Sequence, residues 1–95
     1  MNMVALDLSP RSVKELKYTI HDSYILVVAL DQVGAPFFYE SMHMDVVEGR
    51  SLSLKAKMVF EYHTGRKVSS KTKAISVRPN EFLQEYGHGF GEKRS

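Results

Sequence analysis

The chain has 95 residues, 43% apolar and 25% charged, enough for one domain and too few for two independent cores. It contains no cysteine, which excludes a disulfide scaffold, a thiolate metal site and a cysteine nucleophile. The net charge of +2 names no partner by itself. Its distribution is more informative. Residues 1–49 carry three basic side chains against seven acidic ones, a net of −4. Residues 50–78 carry eight basic side chains against Glu61 alone, a net of +7, and residues 79–95 come to −1. Such a separation bears on association and partners rather than on fold. The longest apolar run, Tyr24–Leu30, is far too short to cross a bilayer. Met1–Leu8 has neither the basic start nor the long hydrophobic region of a secretory signal, so a cytoplasmic protein without membrane contact is expected.

In chain order, Ser9-Pro10 offers a helix start, and Ser12 with Glu15 a capping box. Against a helix, Leu16, Tyr18 and Ile20 alternate with Lys17, Thr19 and His21, so one short turn followed by a strand over 14–21 is expected. His21-Asp22-Ser23 reads as a turn, and Tyr24–Leu30 as a central strand covered on both faces. Gly34 and Pro36 break the chain before a returning strand over 37–46, whose Phe38, Met42, Met44 and Val46 share one face with Glu40 among them. Beyond Glu48-Gly49, Leu52, Leu54, Ala56, Met58, Phe60 and Tyr62 alternate without a break with more polar neighbours. Thr64-Gly65 and a return through Val77 then suggest a long β-hairpin. A two-residue turn pairs Leu54 with Ile75 and Leu52 with Val77. A three-residue turn would set Lys57 against Lys71 and Lys55 against Lys73, so the first register is preferred. Pro79 ends the hairpin, Asn80 caps a short helix to about Tyr86, Gly87 stops it, and 88–95 reads as a loose tail after a domain spanning 1–87.

The expected fold is therefore mainly β: an antiparallel meander of four to five strands, half-barrel or sandwich-like, with a short C-terminal helix. The alternative is α+β, with residues 9–17 helical on a four-stranded antiparallel sheet.

On the expected ribbon, Met58, Phe60 and Tyr62 stand beside Lys67 and Lys71, with Lys55, Lys57, Arg66 and Lys73 around them. Aromatic rings interleaved with lysines suit base stacking and phosphate neutralisation, and a two-stranded ribbon fits the major groove of DNA. The same residues also suit a protein interface, since apolar surface rimmed by charge marks interaction sites. The acidic first half and basic second half complement one another, so a homo-oligomer is expected. The spread of charge over both ribbon faces weakens the nucleic-acid reading, because a single basic stripe is its usual footprint.

Catalytic signals are sparse. His21-Asp22-Ser23 has the residue types of a hydrolase triad, but neighbours in one turn cannot adopt its geometry. His43 and Asp45 would share a strand face, too few ligands for a metal. A third class, a ligand-binding or catalytic domain, would need a pocket near Glu40 and His43; a sheet with no concavity at Glu40 would dismiss it. Asp7-Leu8-Ser9-Pro10-Arg11-Ser12 is similar to the aspartate–serine–glycine signature of PilZ cyclic-di-GMP receptors, but Ser12 stands where that signature has glycine, and no ligand is carried over. The expectation is a small non-enzymatic binding protein without cofactor or metal, acting through protein contacts as a homo-oligomer. The alternative is a nucleic-acid binder using the ribbon 50–78.

Overall fold

A strand apolar on both sides, such as Tyr24–Leu30, is stable only if each face is covered. A computed structural model of the protein, describing residues 11–47 and 49–91, meets that demand with a helix on either side of one sheet. The elements are β1 (Glu15–His21), β2 (Tyr24–Leu30), β3 (Pro36–His43), a 3₁₀ turn (Met44–Val47), α1 (Leu52–Thr64), β4 (Lys73–Ser76) and α2 (Pro79–Gly91). The sheet order is β3-β2-β1-β4; β1–β2 and β2–β3 are antiparallel, whereas β4 runs parallel to β1.

The β1–β2 hairpin follows the expectation closely. Its two-residue turn puts Asp22 at φ 51° and Ser23 at φ 67°, both left-handed, the conformation whose twist matches that of the flanking strands. Alternation then sorts the core. Leu16, Tyr18, Ile25, Val27, Ala29 and Met42 pack on Ala56, Val59 and Phe60 of α1. Leu26, Val28 and Leu30 pack on Phe82 and Tyr86 of α2. An irregularity between Ala29 and Leu30 shifts the start of β3, so that Phe37 and Phe38 both join the α1 side.

The expected antiparallel meander is present in β1–β2–β3, but it does not continue into the long hairpin, and the fourth strand pairs parallel. Residues 52–64 are helix, 65–72 a loop, and only Lys73–Ser76 is strand. The period-2 pattern of Leu52 to Tyr62 also contains a helical stripe, Ala56, Val59 and Phe60, and that stripe is the one buried. Local chemistry favours the helix. Ser51 Oγ accepts from Leu54 N at 3.3 Å as N-cap, and Gly65 at φ 74° donates its N–H to Glu61 O as C-terminal cap. Thr64-Gly65 is thus a helix end and not a hairpin turn. The chain from β3 to β4 is a helical crossover between strands running the same way, as parallel strands require.

Other boundaries also move. Residues 11–14 are not helical and 15–17 belong to β1, against the helical alternative for 9–17; positions 9 and 10, with the PilZ-like residues 7–10, lie outside the described residues. β3 ends at His43 and not at Val46. α2 begins at Pro79, a favoured first helical position, and continues through Gly87 to Gly91, so 88–91 are helix and not tail. Packing explains the extension, because buried Gly89 lies against the Tyr39 ring and Phe90 packs on Tyr39 and Phe82.

Candidate functional site

Loss of the ribbon disperses its proposed surface. Phe60 is 0% exposed beneath α1, and Met58 is partly buried against the same core. Tyr62 stands 75% exposed, with the His63 ring as its neighbour. Lys55 and Lys57 are half-buried on α1, and Lys57 Nζ donates to Ser70 O at 3.4 Å. Arg66 is half-buried, its guanidinium 5.3 Å from the Phe60 ring centroid and Nη2 donating to Arg11 O at 2.6 Å. Lys67, Lys71 and Lys73 are exposed on the loop and at the start of β4. The aromatic and basic groups therefore do not form one interleaved surface: Phe60 is core and Met58 packs against it, Tyr62 is exposed on α1, and the basic residues divide between α1, the loop and the start of β4.

Two features take the ribbon's place. The first is the outer edge of β3. In a two-residue hairpin His21 and Tyr24 exchange backbone bonds, so alternation turns Tyr24, Leu26 and Val28 toward β1 and Ile25, Val27 and Ala29 toward β3. The β3 partners Met42, Glu40 and Phe38 are consumed, while the amides and carbonyls of Tyr39, Ser41 and His43 point away from the sheet. His63, at the end of α1, covers part of this edge: its Nε2 lies 3.4 Å from Ser41 O and 3.8 Å from Glu40 Oε1. Among the described residues no backbone group meets the outward amide and carbonyl of Tyr39.

Beside this edge is a cavity of about 570 Å³, within the range of small-molecule sites, lined by His21, Asp22, Tyr24, Leu26, Glu40, Ser41 and Phe90. The third class considered from the sequence would need a pocket near Glu40 and His43, and Glu40 does line this one. His43 does not line it; its ring packs edge-on against Tyr24 at 5.1 Å and its Nδ1 lies 3.5 Å from Asp45. His21 Nε2 lies 3.5 Å from Asp22 Oδ2, a neighbour pair in the turn. Among the described residues no cluster of three or more His, Cys, Asp or Glu side chains is placed to hold a metal ion.

The second feature is the loop after α1. With the segment leading into β1 it bounds a cleft of about 300 Å³ whose Ser12, Val13, Ser69 and Thr72 no sequence pattern brought together. The density of hydroxyl and basic residues over 66–73 was the available signal.

Fold and surfaces define a small protein with a four-stranded mixed sheet and two helices. No family model, curated protein or solved structure matches this chain in the three comparisons made. Among the described residues no helix is long and apolar enough to cross a membrane.

Proposed function

We propose that this chain is a small non-enzymatic binding protein that acts through protein–protein contact, pairing with a second copy of itself along β3. The open edge of that strand carries the reading. Both faces of the sheet have a helix, yet eight residues including Phe37, Phe38 and Tyr39 form an edge whose only charged side chain is Glu40. Exposed apolar edges recruit other strands unless blunted, typically by short length and lysines. The opposite edge, β4, has both protections, being four residues long and bearing Lys73 after Lys71.

Two copies of β3 related by a two-fold axis would pair antiparallel and join two sheets into one of eight strands. Register follows from charge and access. Setting Tyr39 opposite Ser41 would bring Glu40 against Glu40, which is unfavourable. Centring the pair on Ser41 would require the carbonyl against which His63 lies. Centring it on Tyr39 separates the two Glu40 side chains, placing each opposite Phe38 of the other copy, and moves Ser41 from the centre of the pair to a flanking position opposite Phe37.

Light scattering tests this directly, with twice the monomer mass expected. Ser41→Pro removes an outward N–H without breaking a bond to β2, and should halve the mass while circular dichroism stays native. A wild-type monomer at every accessible concentration, or a folded Ser41→Pro protein that remains dimeric, would refute pairing through β3.

A further inference from the structure

We propose that the cleft between the α1–β4 loop and the segment before β1 binds a phosphoryl group. Its polar lining is Ser12, Arg66, Lys67, Ser69 and Thr72: three hydroxyls, a guanidinium and an ammonium, with no carboxylate among the described lining residues. This donor set suits a tetrahedral oxyanion, which accepts several charge-assisted hydrogen bonds and donates few or none. The cleft is partly preorganised. Arg66 is held by the Arg11 carbonyl and the Phe60 ring, so its charge is fixed at the wall while Lys67 remains exposed. Ser12 Oγ accepts from Gln32 Nε2 at 3.1 Å, and Ser69 Oγ accepts from Lys71 N at 3.1 Å. Each hydroxyl is oriented by an incoming donor and keeps a proton of its own to give.

The surrounding charge points the same way. Of the ion pairs between described residues, none includes a lysine. Glu61, the only acid in 50–78, accepts from Val68 N at 2.9 Å inside the loop. Lys67, Lys71 and Lys73 are left as an exposed basic rim, able to neutralise phosphates next to the one in the cleft. The site uses neither the β3 edge nor a second copy, so it stands or falls apart from self-association.

The test is an NMR titration of the full chain, first with inorganic phosphate and separately with a single-stranded oligothymidylate. Phosphate should move the amides of Ser12, Val68, Ser69 and Thr72. The Lys67→Gln/Ser69→Ala double variant should weaken the response about tenfold, the effect of losing two donors worth together about 1.4 kcal/mol. Thr72→Ala should also weaken it, and provides a check that leaves the Lys71 amide bond intact. Oligothymidylate binding whose log affinity falls with log salt by about 0.7 per phosphate contact, and less steeply in Lys67→Gln, would support the site and identify a nucleic-acid backbone as its source. A response to phosphate without oligonucleotide binding would support it with a small phosphorylated ligand as the source. No response at those four amides, or an undiminished response in both variants, would overturn the proposal.

Discussion

Two glycines in α2, two residues apart, should respond to alanine with opposite signs. In a helix interior Gly→Ala ordinarily stabilises by about 0.5–1 kcal/mol, because glycine loses more backbone freedom on folding. At Gly87 that rule should hold: a Cβ would meet Leu83 Cβ at 3.7 Å and Cδ2 at 3.8 Å, ordinary contact distances. At Gly89 it would lie 2.6 Å from Tyr39 Cγ and still closer to Cδ2 and Cε2, inside the van der Waals surface of the ring. The ring has little freedom to retreat, since Phe90 packs edge-on against it at 5.8 Å and His88 at 5.9 Å. Overpacking of this kind costs about 1–3 kcal/mol, which outweighs the helix-propensity gain. Gly89→Ala should therefore lose on the order of 1–2 kcal/mol net, and Gly87→Ala should gain about 0.5–1. Urea denaturation followed by circular dichroism reads both, and melting temperatures should move about 4–8 °C per kcal/mol in a domain of this size. A double-mutant cycle with Tyr39→Ala completes the test, because removing the ring should abolish most of the Gly89→Ala penalty. A Gly89→Ala protein as stable as wild type, or a penalty unchanged in the Tyr39→Ala background, would refute the close approach of α2 to β3.

Thr19 is 2% exposed and its hydroxyl has no hydrogen-bond partner among the described residues. Thr19→Val keeps the shape and removes the unsatisfied group, so a gain of about 1–2 kcal/mol in urea stability is expected; a loss would mean that the hydroxyl has a partner. Burial pushes the Tyr86 phenol above its ordinary range, with the nearby Lys17 ammonium opposing in part. The neutral phenol is thus favoured in the folded state. Its contribution is complete below the unfolded value of about pH 10 and is lost as pH rises through the raised value. Urea midpoints measured from pH 8 to 11 should fall at the alkaline end for wild type and fall less for Tyr86→Phe; identical alkaline slopes would contradict this.

The sites were legible in the sequence to different degrees. Glu40 drew notice as a carboxylate among apolar neighbours, and the concavity beside it exists. The basic excess of 50–78 was equally plain, but its placement was not. Assigning strand to 52–62 put Met58, Phe60 and Tyr62 beside the lysines, whereas a helix buries Phe60, tucks Met58 against the core and sends Tyr62 outward. Ser12 joins Ser69 and Thr72 only because β1 and β4 lie side by side in parallel, a pairing between segments more than fifty residues apart.

Length and composition limited the chain to one domain, and the uneven charge followed from counting alone. Periodicity located β1 and β2, because a tight turn and an uninterrupted apolar run are local signals. The state of 52–64 was not decided by alternation, since its apolar residues match both a period of two and a buried helical stripe. Tertiary structure selected the helix because β2 needed a cover on each face, and Ala56, Val59 and Phe60 supply one of them. Once that segment became a crossover, β4 could pair parallel to β1, and Arg66 and Lys67 came to line a cleft instead of standing on a ribbon. The +2 of the whole chain and the +7 of one segment were properties of the sequence; a cleft lined by Arg66, Lys67 and three hydroxyls exists only in the fold.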